Sequence, residues 1–153
     1  MTHELYELGK ASTQLEGWEW RPRIQSVYAL DETDNDAPMY WTSREQSGRG
    51  RRWVSIGPYG DGCPQDNRHS APDLTDDATG GVLLGLLSVS YSSISATGRG
   101  VFRLGYRQRW IGGRGHSTPQ FRLSDHHHDS GWCDHLAEAC ARYALVRGYW
   151  RRA

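Results

Sequence analysis

The chain has 153 residues, a length that fits one hydrophobic core, and its 18 basic and 18 acidic side chains cancel to a formal net charge of zero. Three cysteines, an odd number without framework spacing, argue against a disulfide-stapled secreted scaffold, and no stretch of about 18 apolar residues offers a membrane span. The expected setting is reducing and cytoplasmic, since MTHELYELGK lacks a basic segment followed by an apolar one.

Residues 3–16 carry Leu5, Leu8 and Leu15 at helix-like spacing among Glu4, Glu7 and Glu16, with Gly17 as the stop. Trp18 and Trp20 then alternate with Glu19, Pro22 forces an extended entry, and IQSVYAL reads as a strand. Ile24, Ser26 and Tyr28 fall on one face of it, Val27 and Ala29 on the other. The acidic DETDNDAP is its turn, and MYWT and RWVSIG return as strands separated by the Arg-bearing loop SREQSGRGR. Residues 18–57 are thus expected to form a small antiparallel meander.

Residues 58–74 are rich in turn formers and read as a long linker or binding loop. From 75 onward the pattern is helix, hairpin, helix. Thr75 supplies the expected N-cap hydroxyl, with Asp76 and Asp77 as carboxylates at the positive end of the helix dipole, and GGVLLGLLSVSY is apolar nearly all round, which marks a central buried helix. Gly80, Gly81 and Gly85 are poor helix formers there and point to close approach of another backbone. In VFRLGYRQRW, Phe102, Leu104, Tyr106 and Trp110 alternate with Arg103, Arg107 and Arg109, so one face should pack and the other be basic. GGRG turns the chain into the opposing strand QFRL. Ser130 is the expected cap of a last helix with a stripe of Trp132, Leu136, Ala139, Cys140 and Tyr143, ending near Gly148. The fold class that follows is α+β: one domain over 1–153, a small antiparallel sheet or meander packed against two or three helices.

PDLTDDATGGVLLGLLSVSYS, followed by an amphipathic hairpin and a terminal SGWCDHLAEACARYAL helix, with the aromatic WEWRP upstream, resembles a group of small proteins encoded by tailed phages and prophages. The likeness covers roughly residues 18–30 and 72–147. This chain has GGVLLGLL where the group more often carries a cysteine and an alanine, and its last helix is more basic. The resemblance implies a mobile-element origin, hence a bacterial host cytoplasm, and no catalytic motif travels with it.

Charge is segregated along the chain. Residues 1–77 carry 8 basic and 14 acidic side chains, residues 78–153 carry 10 and 4. Such polarity marks an anion-binding surface or two halves that pair on folding. The candidate binding residues are Arg99, Arg103, Arg107, Arg109, Arg114 and Arg122, whose guanidinium groups can take phosphates or carboxylates bidentately. Trp41, Trp53 and Tyr59 are candidate stacking platforms or core residues. His126, His128, Cys133 and His135 are candidate zinc ligands, although Cys133 and His135 would diverge on a helix and a solvated polar turn explains the histidines as well. Cys63 with His69 or His116 is the pair to consider for thiol chemistry. No phosphate-cradling GxxxxGK[ST], no GxSxG and no HExxH occurs.

The expectation is a non-enzymatic phage or prophage accessory protein that binds a host component, a protein complex or a nucleotide, through the basic hairpin, as an anti-defence or anti-CRISPR-like inhibitor does. No cofactor is expected, with zinc as the exception to consider. The alternatives are a metal- or cysteine-dependent hydrolase of a phosphorylated or nucleic-acid substrate, and a nucleic-acid-binding module.

Overall fold

The computed structural model describes residues 2–21, 23–29, 39–47, 50–56, 70–94, 102–112 and 115–151. In chain order these form α1 (His3–Ser12), β1 (Ser26–Ala29), β2 (Met39–Ser47), β3 (Gly50–Ile56), β4 (Ser70–Pro72), α2 (Asp77–Ile94), β5 (Arg103–Ile111), β6 (His116–Ser124) and α3 (Leu136–Arg147). The fold is α+β, with two antiparallel sheets ordered β3-β2-β1-β4 and β5-β6.

Helix α1 starts where the Thr2 hydroxyl accepts the Leu5 amide at 3.3 Å. It stops at Ser12, four residues short of the sequence expectation. The hydroxyls of Ser12 and Thr13 donate back to the carbonyls of Gly9 and Lys10, both at 2.7 Å, and so compete with the amides that would extend the helix. In the first sheet the meander β1-β2-β3 is as expected, but residues 43–47 and 50–51 of the expected Arg-bearing loop are strand instead: β2 and β3 pair from Trp41↔Ile56 to Ser47↔Gly50. The expected 58–74 loop also ends in a strand, because Ser70–Pro72 adds antiparallel to the other edge of β1. Tyr6, Val27, Ala29 and Ala71 bury together as a small cluster at this sheet.

Asp76, rather than Thr75, caps α2, with its carboxylate accepting the Thr79 amide at 2.8 Å and hydroxyl at 2.9 Å. The Thr75 hydroxyl instead donates to Asp73 at 2.6 Å. The Thr79 hydroxyl in turn accepts the Gln25 amide at 2.8 Å, tying α2 to the residue before β1. Leu83, Leu86 and Leu87 of α2 are fully buried in the main core, as the expected central helix requires. Of the three helix glycines only Gly80 meets another backbone. A Cβ there would lie 3.1 Å from the Ala137 nitrogen, whereas nothing lies within 4 Å of one on Gly81 or Gly85.

The last helix begins five residues later than the Ser130 cap predicted. Residues 129–133 instead run along β6: Phe121 and Cys133 exchange amide–carbonyl bonds at 2.8 Å, and Ser124 bridges Asp129. The Ser130 hydroxyl accepts the Leu123 amide at 2.9 Å, and His135 stands at the cap position without a side-chain bond. Trp132 therefore belongs to this extended run, not to the helical stripe. Ala137, Ala139, Cys140, Ala141, Tyr143 and Ala144 of α3 are buried, and Gly148 ends the helix at φ 89° as expected. The two ends of the described chain are stitched together by the buried Trp150, whose indole donates to the Ser12 carbonyl at 2.7 Å.

Candidate functional site

The hairpin β5–β6 carries four of the candidate arginines, Arg103, Arg107, Arg109 and Arg122. The register pairs Arg103 with Ser124, Arg107 with Gln120 and Arg109 with Thr118, so these residues and Arg122 share one face. Of the nine residues of β5, Arg103, Leu104, Tyr106, Arg107, Gln108, Arg109 and Trp110 are exposed. Arg99 and Arg114 lie outside the described residues, as do Cys63, His69 and Tyr59, and only the backbone positions of Trp41 and Trp53 are described.

The arginines differ in their surroundings. Arg122 is neutralised: its Nε donates to Asp129 at 2.9 Å and its Nη2 to the other carboxylate oxygen. Arg107 is held but left uncompensated. Its Nε donates to the buried Gln120 amide oxygen at 2.9 Å, and its guanidinium lies 4.2 Å from the ring centroid of Trp132. The Gln120 nitrogen donates onward to Asp134 at 3.0 Å. Among the described residues no carboxylate pairs with Arg103, Arg107 or Arg109. Ion pairs between the two halves of the chain do form elsewhere, from Arg142 to Glu4 at 3.5 Å and from Arg151 to Glu19 at 2.6 Å.

Trp132, Gln120 and Asp129 are the parts of this site that the sequence reading missed. Trp132 lies against the arginine face, where a Cβ on Gly105 would come within 3.3 Å of its ring.

The opposite face corrects another expectation. Leu104, Tyr106 and Trp110 do not pack but are 48%, 58% and 68% exposed. The apolar anchors of that face come from β6, where Leu123 is fully buried and Phe121 packs partly on the core. Opposite Trp110 and Gln108 stand Ser117 and Pro119, which provide no apolar cover. Tyr106 leans on Phe121 at 5.6 Å between centroids, and the Gln108 amide donates to its hydroxyl. Phe102, just before β5, does turn inward, 5.7 Å from the Tyr143 ring.

The histidine cluster is a turn organised by a carboxylate. One Asp125 oxygen accepts the His127 and His128 amides at 2.7 Å, and the other accepts the Tyr143 hydroxyl at 2.5 Å. The His128 ring lies 3.2 Å from both oxygens. Burial alone would raise the Asp125 carboxyl, but these hydrogen bonds outweigh it and hold the group down to about 2. Burial, and then the bond to Asp125, push Tyr143 up to about 12. Among the described residues no three His, Cys, Asp or Glu side chains are grouped so as to hold a metal ion, so His126, His128, Cys133 and His135 are not brought together as ligands. His126 is exposed, Cys133 is buried and His135 stands at the cap position before α3.

The two described thiols, Cys133 and Cys140, are also poorly placed as nucleophiles. Burial, reinforced by the Glu138 charge, pushes Cys133 up to about 11, and burial pushes the enclosed Cys140 up as well. His116 is exposed at the start of β6.

A cleft of about 580 Å³ adjoins the arginine face, lined by Asp77, Arg109, Thr118, Asp134 and His135 with Pro119, Phe121 and Leu136. Its charges are of both signs. Among the described residues no helix is long and apolar enough to cross a membrane. Comparison with protein families, curated proteins and solved structures finds nothing that matches this chain.

Proposed function

We propose that the chain is a non-enzymatic binding protein of phage or prophage origin that engages a host protein complex through the β5–β6 hairpin, in the manner of an anti-defence inhibitor. The observation that carries this reading is Arg107, an exposed guanidinium fixed by Gln120 and Trp132 with no carboxylate of the described chain beside it. A cation oriented in advance loses little side-chain freedom when an external carboxylate arrives. The neighbouring Tyr106 and Trp110 belong to the residue types that, with arginine, dominate binding energy at protein interfaces. The phage origin rests on the resemblance of the PDLTDDATGG helix and the WEWRP segment alone.

A protein partner suits the surface better than a polyanion. Residues 103–134 carry five arginines but also Asp125, Asp129 and Asp134, and Arg122 is already neutralised. A phosphate backbone would meet a field of mixed sign, whereas nonspecific nucleic-acid affinity depends on many uncompensated cations.

Affinity capture from bacterial lysate tests the reading, comparing the native chain with R103E/R107E/R109E and analysing eluates for protein and nucleic acid. A discrete protein retained by the native chain and lost with the triple variant is expected. Retention of nothing, of nucleic acid alone, or of the same protein by both forms contradicts it.

A further inference from the structure

We infer that β5 is an acceptor strand: it takes an extended partner segment, in which acidic and apolar residues alternate, onto its free edge by backbone hydrogen bonding. The inference rests on the hairpin reading above and adds how the partner binds and what chemistry it has. In the β5-β6 sheet the chain covers one edge itself, by running residues 129–133 along β6. The other edge, along β5, pairs with nothing among the described residues. An uncovered edge strand presents a row of amides and carbonyls ready to pair with another chain, and peptide recognition by strand addition uses such edges.

The side chains of β5 say which segment would fit. A strand added to an edge places its side chains beside those of the acceptor, face by face. One face of β5 offers Arg103, Arg107 and Arg109, and the other offers Leu104, Tyr106 and Trp110. Acidic residues suit the first face and apolar residues the second, so the matching segment alternates. The same arginines disfavour the simplest competitor, a second copy of this chain. Antiparallel pairing of two β5 edges about a two-fold axis would put arginines beside arginines, and like charges on neighbouring strands are destabilising. The edge is thereby guarded against itself and left open to an acidic strand.

The probe is a nine-residue blocked peptide of alternating valine and glutamate, matched to the nine residues of β5. Binding is read by amide exchange and chemical shifts on the intact protein. Expected is slowed exchange at alternate amides of β5, with affinity at least about tenfold weaker for a peptide in which lysine replaces glutamate and for one N-methylated along one edge. R103E/R107E/R109E should reverse the preference, favouring the lysine peptide, a result that loss of folding cannot produce. Equal binding of the N-methylated peptide, no binding of the glutamate peptide, or protection outside β5 overturns the inference. So does protection of β5 by an oligothymidylate and not by the peptide. Arginine-dependent capture of a host protein without peptide protection of β5 would overturn strand addition and leave the hairpin reading standing.

Discussion

The guanidinium of Arg107 lies 4.2 Å from the centre of the Trp132 ring, which the chain brings beneath β5 by running residues 129–133 along β6. Cation–π contacts at exposed sites contribute about 0.5–1 kcal/mol. A double-mutant cycle of R107A and W132A, followed by urea unfolding, should therefore give a coupling energy of about 0.5–1 kcal/mol. Additive effects would mean that the stacking does not hold in solution.

The stitch between the chain ends sets a second expectation. W150F removes the donor to the buried Ser12 carbonyl and should destabilise by about 1–3 kcal/mol. Nearby, Gly17 has φ +87° and a Cβ on it would lie 2.6 Å from backbone atoms of Arg151, so G17A should destabilise by about 1–3 kcal/mol. G81A has the opposite sign. Nothing lies within 4 Å of the added methyl on this exposed helical position, and alanine there should stabilise by about 0.5–1 kcal/mol. Urea midpoints rank all three.

Asp125 makes stability depend on acid. Its folded carboxyl is held at about 2, below the ordinary 3.8, so its contribution is fully present above about pH 4 and is lost as pH falls toward 2. Y143F removes one of the bonds that hold it there. That variant should be less stable by about 1–3 kcal/mol at pH 7, and the gap should narrow between pH 4 and pH 2. Denaturant melts at the three pH values check this, and a gap independent of pH would contradict it.

Cys133 and Cys140 should resist alkylation. Both are buried and both thiols are shifted toward the protonated form. Iodoacetamide at pH 8 should leave them unmodified in the native chain and label both once the chain is unfolded in guanidinium. Mass spectrometry of the digested protein reads the result.

Much of the frame was legible because local patterns and tertiary packing agree. The leucine-rich run at 82–87 is the central helix, the alternation at 103–110 is a strand, and Gly148 ends α3. Helix starts were misread where two polar residues compete for the same task. Asp76 caps α2 because its carboxylate reaches Thr79, while Thr75 is engaged by Asp73. Ser130 has the composition of a cap, yet its hydroxyl is taken by the Leu123 amide, a pairing that exists only once β6 has a neighbour.

The hairpin shows the same limit. Alternation alone assigns Leu104, Tyr106 and Trp110 to a buried face, but burial also needs a neighbour to cover them. Ser117 and Pro119, set across from Trp110 and Gln108 by the register, were the available sign that this face runs beyond the core. Neither the pairing of Arg122 with Asp129 nor the platform under Arg107 is foreshadowed by spacing, since both depend on residues 129–133 lying along β6.

Photo-crosslinking in living bacteria asks whether the β5–β6 hairpin meets a host protein. Benzoylphenylalanine placed at the exposed Tyr106 is compared with the same group at Val146, exposed on α3. An adduct with one host protein is expected from position 106, absent from position 146 and abolished by R103E/R107E/R109E. No adduct from 106, or the same adducts from both positions, would contradict that contact.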